Sequence, residues 1–422
     1  MDVRAIIKNN KKIIENFFSI SLLNAISHII SFFIIPYLVA MLGFEKYGAY
    51  CFMYTIALYI KLFGMYGFYL SVTRLVSIHR DDSNRVNAIF NATIFSRVIL
   101  TTVASVVVGA VVFALMEKDD ILMFLFSLGI VFGDIFIPSW LFQGMEEMRY
   151  VTVVNVVSKI IFAVLIFVLI KEQGDYIYVL VLNSLGYIAA GILSMIIAFK
   201  CYKLHFALPR RSDVVELFKD GWHIFVSNIG MELYRNSNTF LLGLFVGDTA
   251  TGVFSSVEKL VKVGQVIINA LPMAIFPHAS RMFHGGNVSD NVAKLAKMLR
   301  VSFVILFFVA LIFACSPRLV VLYLPELDYN VAKYLVWLMS PVLLFGCLNY
   351  IIGIVGLINL NASNLFERNI WITGIVSVAL MLVFCKEYSY YAAAAVWSIA
   401  EALLFLLCLW SLRIVKRKRV IV

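Results

Sequence analysis

The sequence predicts an all-α integral membrane protein, and three observations carry that prediction. Hydrophobic residues fill 62% of 422 positions and charged residues only 14%, against about 25% charged in soluble domains. Mean hydropathy is +0.93. The apolar residues gather into runs of bilayer-crossing length, about 20 residues or more, rather than the ~10-residue alternating segments of membrane barrels. So little polar surface excludes a multidomain soluble protein. With 8 Pro and no low-complexity tract, a disordered or fibrous chain is excluded too.

Twelve such runs are expected, at about 16–42, 47–69, 88–115, 121–143, 150–170, 176–199, 221–246, 250–276, 299–324, 331–357, 367–386 and 389–412. The first follows a basic stretch, Lys8 to Lys12. It is too long for a signal-peptide core and no small-residue cleavage site follows, so it reads as a retained helix. The 35 Lys and Arg set the orientation. Those on one side include Arg4, Lys8, Arg74, Arg149, Lys200, Arg210, Arg211, Lys219, Arg300, Arg368 and Lys416. The opposite loops hold Lys46, Lys118, Lys171, Arg318, Lys333 and Lys386. The basic-rich side is the cytoplasmic one, which places both termini in the cytoplasm. The net charge of +10 is thereby a topology signal, and no nucleic acid is expected as a partner. The cysteines Cys51, Cys201, Cys315, Cys347, Cys385 and Cys408 form no CxxC pair and no metal spacing. Neither a metal nor a cofactor is expected, and with no Walker A pattern, direct ATP drive is not expected.

Spans one and seven align at an offset of 204: Asn24 on Asn228, Gly43 on Gly247, Gly48 on Gly252, Tyr50 on Phe254. An even separation gives the two halves the same orientation, a parallel repeat about an axis along the membrane normal, as in alternating-access transporters. The expected organisation is an N-terminal lobe over 1–200, a cytoplasmic linker over 201–219 around Pro209, Arg210 and Arg211, and a C-terminal lobe with its basic tail over 220–422.

Ten ionisable residues fall inside spans: Lys61, Arg97, Asp134, Lys159, Glu232, Arg235, Glu258, Lys259, Lys262 and Glu401. Each ionised Lys, Arg or Asp costs roughly 2.5–3.5 kcal/mol at the bilayer centre on the insertion scale, so they face water, pair or snorkel. Glu258, Lys262, Gln265 and Asn269 share one helix face, with Lys259 on its flank. Asn228, Glu232, Arg235 and Asn236 form a second face. Tyr47, Tyr50, Tyr54 and Lys61 form a third, and Asn24, Ser27, His28 and Ser31 a fourth. Polar faces in spans one, two, seven and eight suit a cavity between two lobes. Six bases against four acids make it cationic, suited to an anionic cargo such as a phosphate, which Arg holds bidentately and Lys as a point charge. The substrate-binding set is Arg235, Lys262, Lys259, Lys61, Glu258, Glu232, Asn228 and Tyr54. Asp134, Arg97, Lys159 and Glu401 are candidates for ion coupling or ion pairs. Glu258 with Lys262 also reads as a structural i,i+4 pair, and Tyr47 as an interfacial belt residue.

The segment Pro138 to Met148 (PSWLFQGMEEM), the segment Gly252 to Lys262 (GVFSSVEKLVK), Pro272, and Phe276 to Arg281 (FPHASR) resemble bacterial polysaccharide flippases. These are of the O-antigen, Wzx-like type, within the multidrug/oligosaccharidyl-lipid/polysaccharide (MOP) exporter superfamily. The resemblance implies two six-helix lobes that rock around a central cavity. It implies a cargo of undecaprenyl-diphosphate-linked oligosaccharide, moved from the cytoplasmic to the periplasmic leaflet of the inner membrane with no bond broken. The lipid tail stays in the bilayer. It also implies membrane lipids, a polysaccharide polymerase and a chain-length regulator as partners.

Two alternatives stand beside it. One is the same architecture with another cargo: a cell-wall lipid precursor, a teichoic-type unit or a drug. A cationic drug would want an acidic cavity. The other is a membrane glycan polymerase or ligase, which would need a catalytic outer loop. The largest here, about 315–330, offers Arg318, Glu326 and Asp328 but no catalytic constellation.

Overall fold

The computed structural model describes residues 3–283, 288–360 and 362–418, with side chains over 29–269, 290–360 and 362–417. The stripe residues Asn24, Ser27 and His28, the Asn24 end of the 204-residue alignment, and the Pro272 to Arg281 segment lie outside the described side chains. The helices are α1 (Val3–Met65), α2 (Phe68–Ile78), α3 (Ser83–Leu115), α4 (Lys118–Ile135), α5 (Ser139–Gly144), α6 (Met148–Leu169), α7 (Tyr176–Tyr202), α8 (Arg211–Phe245), α9 (Asp248–Phe283), α10 (Val288–Ala314), α11 (Pro317–Tyr323), α12 (Tyr329–Tyr350) and α13 (Ser363–Lys418). There is no strand among the described residues. That is the expected all-α class, since hydrocarbon forces each backbone amide to find its partner within its own helix.

Among the described residues, 8 helical segments are long and apolar enough to cross a membrane. Two of them, Ile29–Ile78 and Ser363–Arg417, run 50 and 55 residues, roughly twice the ~20 that a span needs. Each is broken. Gly43 (φ 72°, ψ 168°) interrupts α1, and Ser389 (φ 51°, ψ −133°) interrupts α13. The helices α8 and α9, of 35 and 36 residues, have the length but carry the Glu232, Arg235, Glu258, Lys259 and Lys262 charges.

The chain divides into two compact units, Met1–Ile34 with Phe52–Ile229, and Ile35–Cys51 with Gly230–Val422. In the first unit, two helical paths break within the apolar segments. The first path leaves α1 at Met65, passes Tyr66 in a left-handed conformation (φ 50°) and resumes as α2. The second leaves α4 at Ile135 and resumes as α5 after Pro138, whose ring removes a donor and blocks the preceding turn. Each break frees a carbonyl, and a side chain from another helix takes it. Asn228 Nδ2 donates to Tyr66 O at 3.3 Å, and Arg97 Nη1 donates to Ile135 O at 3.0 Å. The Tyr66 ring stacks on Phe225 at 4.5 Å, and its hydroxyl donates to Phe218 O at 3.4 Å. Beyond the breaks, α2 and α5 pack together. Thr73 Oγ1 donates to Trp140 O at 3.3 Å, and Gly144 lies so close to Val76 that a Cβ would collide with it. Trp140, Leu141 and Phe142 are buried in the cluster around this pair.

Of the expected linker 201–219, only 203–210 lack helix; the rest belongs to α7 and α8. Two buried asparagines one turn apart on α3 hold this stretch. Asn87 Oδ1 accepts from His205 N at 2.9 Å. Asn91 donates to His205 O at 3.0 Å and accepts from Ala207 N at 3.0 Å. The two side chains thus do for the extended backbone what a neighbouring strand would do.

In the second unit, Gly43 and Gly247 both have positive φ, 72° and 116°, which glycine adopts without steric cost. Each precedes a helix start, and those starts meet at Gly48 and Gly252. A Cβ on Gly48 would run into Asp248 O and Gly252 N, and one on Gly252 into Phe44 O and Gly48 N. This contact is its own image under the 204-residue shift read from the sequence. In an ordinary helix Gly→Ala gains about 1 kcal/mol. Here Gly48→Ala and Gly252→Ala should instead lower stability by roughly 1–3 kcal/mol, the usual cost of overpacking. The folded fraction and melting temperature of purified protein measure this, with Gly174→Ala as the control at an open site.

Candidate functional site

In the first unit, the in-span charges converge on one carboxylate. Asp134, near the C-terminal end of α4, accepts from Arg97 Nη2 at 2.7 Å and lies 2.7 Å from Lys61 Nζ. Arg97 is 2% exposed and Asp134 6%. An acid at a helix C-terminus opposes the helix dipole, and two cations offset it. The local balance of +1 is reduced further by the negative end of α4, so this cluster is nearly compensated. Lys61 also stands 5.1 Å over the Tyr187 ring, and Tyr54 shares a hydrogen bond with Tyr187. Lys159 is half-buried on α6 in the same unit. Asn228, placed by sequence among the cargo contacts, spends its amide on the broken helix at Tyr66.

In the second unit, Lys262 Nζ lies 2.7 Å from Glu258 Oε1, one turn away, and 6.0 Å over the Trp397 ring. That is the structural i,i+4 pair the spacing allowed, and it takes most of the charge of Lys262 out of play. Lys259 is bound differently. Its ammonium donates to Tyr47 Oη at 2.9 Å and to Cys51 Sγ at 3.3 Å, and stands 5.0 Å and 5.5 Å over the Tyr47 and Tyr50 rings. Among the described residues, no carboxylate pairs with it. Two π faces and a phenol oxygen hold the cation while leaving its net charge intact. Tyr47 is 0% exposed, which places it in this cage and not in an interfacial belt. The expected common face of Tyr47, Tyr50, Tyr54 and Lys61 divides: the first two serve Lys259 in the second unit, the last two the Asp134 cluster in the first.

Arg235 is exposed on α8 and, among the described residues, has no ion pair. It faces Glu401 at longer range. Glu401, 5% exposed, is ringed by neutral donors. Asn349 Nδ2 reaches its Oε2 at 2.7 Å and its backbone oxygen at 2.9 Å, and Tyr234 and Trp397 also hydrogen-bond to it. Glu232 is occupied by Asn236 on the next turn. Gln265, on the face expected to meet cargo, donates to Val342 O at 3.2 Å.

Sequence reasoning missed Tyr187, Tyr234, Asn349 and Trp397. Their available signal was a lone polar atom within a long apolar run, which needs a partner once buried. Among the described residues, no group of His, Cys, Asp and Glu could hold a metal ion.

The Asp134 cluster yields a stability prediction. Asp134→Asn leaves buried Arg97 and half-buried Lys61 without a counter-charge, which should cost about 3–5 kcal/mol and sharply reduce folded protein in the membrane. Combining it with Arg97→Leu and Lys61→Met should restore much of the yield, as read by size-exclusion of the solubilised protein.

Residues 13–283 match the family model described as polysaccharide biosynthesis protein. A relative from Escherichia coli (strain K12), named for O-antigen transport, is 24% identical over 407 residues, covering 96% of this chain and 98% of the relative. A second such relative, from Shigella dysenteriae, is 24% identical over 268 residues, covering 64% and 67%. Among solved structures, the lipid II flippase MurJ in an inward closed conformation superposes with TM-score 0.74 at 13% identity, covering 94% of this chain and 87% of that one. An inward-facing MATE transporter of the MOP superfamily superposes with TM-score 0.69 at 12% identity, covering 94% and 96%. The chain therefore belongs to the polysaccharide biosynthesis protein family and has the fold of the MOP-superfamily transporters.

Proposed function

We propose that this protein is a flippase for an undecaprenyl-diphosphate-linked oligosaccharide, an O-antigen or related repeat unit, which it moves from the cytoplasmic to the periplasmic leaflet by alternating access. It is a transporter and not an enzyme. Both termini lie in the cytoplasm on this reading, and a polymerase and chain-length regulator of the same pathway receive its product. The whole-length similarity to relatives named for O-antigen transport supports the cargo class.

The observation that carries the reading is Lys259, a cation on a membrane helix held by tyrosines and a thiol, with Glu258 acting on it only at longer range and no carboxylate paired to it among the described residues. A charge kept this way costs several kcal/mol of desolvation and is ready for an anion. At an effective dielectric near 20, a phosphate oxygen at 4 Å is worth about 4 kcal/mol to it. Arg235, exposed on α8 and without an ion pair among the described residues, is a second cation open to the anion. The flanking tyrosine rings suit the flat apolar faces of sugars. A cationic drug would meet repulsion from both. Glu401, buried among neutral donors beside Arg235, is the residue proposed to bind the coupling proton or cation.

Lys259→Gln should lower flipping of a diphosphate-linked glycolipid in proteoliposomes by tenfold or more, while Lys259→Arg retains most activity. Equal loss in both at matched protein levels would assign Lys259 to packing. Glu401→Gln should remove the dependence of transport on an imposed ion gradient while the protein still inserts. Unchanged gradient dependence would free Glu401 of that role.

A further inference from the structure

At the end of the first unit where α3 and α8 begin, a cleft of about 410 Å³ opens, within the ~300–1,000 Å³ typical of small-molecule sites. None of the in-span charges lines it. Its polar walls include Asp82 and Arg85 from the start of α3, His205 and Arg210 from the stretch before α8, and Asp213 from α8. Asn87 and Asn91 hold the connecting stretch against α3, so the wall is built into the fold.

The remaining hydrogen-bonding capacity in the cleft has two signs. Arg85 is committed, to Asp213 Oδ1 at 2.7 Å and to Glu216 Oε2 at 2.8 Å. Asp82 Oδ1 caps α3 through the amides of Asn84 and Arg85 at 3.0 Å and 3.1 Å. That leaves one oxygen on each of Asp82 and Asp213, and the Arg210 guanidinium, with no partner among the described residues. Arg210 offers a fork for a phosphate, and the two aspartates offer acceptors for a protonated amine. Beside them, Leu208 is 91% exposed and Phe206 65%, apolar side chains standing out where two membrane helices end. Such a pairing of polar cleft and bare apolar rim fits a molecule with a zwitterionic head and hydrocarbon tails.

We propose that this cleft binds a phospholipid with a primary ammonium headgroup, of the phosphatidylethanolamine type. Arg210 takes the phosphate, Asp82 and Asp213 take the ammonium, and Phe206 and Leu208 lie along the acyl chains. A quaternary ammonium has no N–H for the aspartates, and an anionic glycerol headgroup brings no cation to them. Phosphatidylcholine and phosphatidylglycerol are therefore the discriminating comparisons.

The test is native mass spectrometry of the purified, delipidated full chain titrated with phosphatidylethanolamine, phosphatidylcholine or phosphatidylglycerol of matched acyl chains. The expected result is about tenfold preference for phosphatidylethanolamine, and about tenfold loss of that binding in Arg210→Gln, the scale of one charged hydrogen bond. Arg210 is exposed and holds no ion pair among the described residues, so the variant should fold, and the selectivity of the unaltered chain is an independent readout. Equal retention of the three lipids, or unchanged binding in Arg210→Gln, overturns the proposal. Displacement of the lipid by inorganic phosphate also overturns it, in favour of a soluble phosphate ligand.

Discussion

Hydrocarbon offers no hydrogen bonds, and that constraint shapes most of the polar chemistry in this protein. A helix broken inside a membrane exposes carbonyls that water cannot reach, and each must find a donor from elsewhere in the protein. The breaks at Tyr66 and after Ile135 satisfy this through Asn228 and Arg97. Arg97 answers two demands at once. It takes the carbonyl of the broken α4 and the carboxylate of Asp134 on the same turn. Residues that look like a transport pathway in one dimension are partly the means by which irregular backbone survives at depth.

The same constraint sorts the charges by their availability. The Glu258–Lys262 pair is internally compensated, and the Asp134 cluster nearly so with the negative end of α4. Lys259 is stabilised without being neutralised, because aromatic faces and a phenol oxygen lower the cost of burial while leaving the charge in place. Arg235 keeps its charge by exposure. Ion pairs therefore carry stability, whereas cation–π and hydroxyl contacts preserve a charge for a ligand. A tally of bases and acids along the spans does not separate these two uses.

The Gly48–Gly252 contact gives the aligned glycines a physical role. Two helix starts approach until backbone meets backbone, and only a residue without a Cβ permits it from both sides. The left-handed glycines at 43 and 247 aim those starts. Four glycines spaced alike in two distant segments are thus parts of one close crossing. Asn87 and Asn91 do a related task for the segment before α8, using side-chain amides where no strand is present.

Composition and the length of the apolar runs together determined the fold class: a chain 62% hydrophobic and 14% charged needs lipid, and runs of about 20 residues cross it as helices and not as barrel strands. Spacing alone aligned Gly43 and Gly48 with Gly247 and Gly252 and allowed the Glu258–Lys262 pair, since i,i+4 contacts are local. Arg97 and Asp134 were candidates for an ion pair from their positions inside spans, whereas the Lys61 partner of Asp134, the tyrosine cage of Lys259 and the capping role of Asn228 lay beyond any local pattern. Each joins residues far apart in sequence: 73 positions from Lys61 to Asp134, 212 from Tyr47 to Lys259, and 162 from Tyr66 to Asn228. Helical periodicity states which face a side chain occupies and not which neighbour meets that face. The tertiary structure alone therefore decided which charges were neutralised and which remained available.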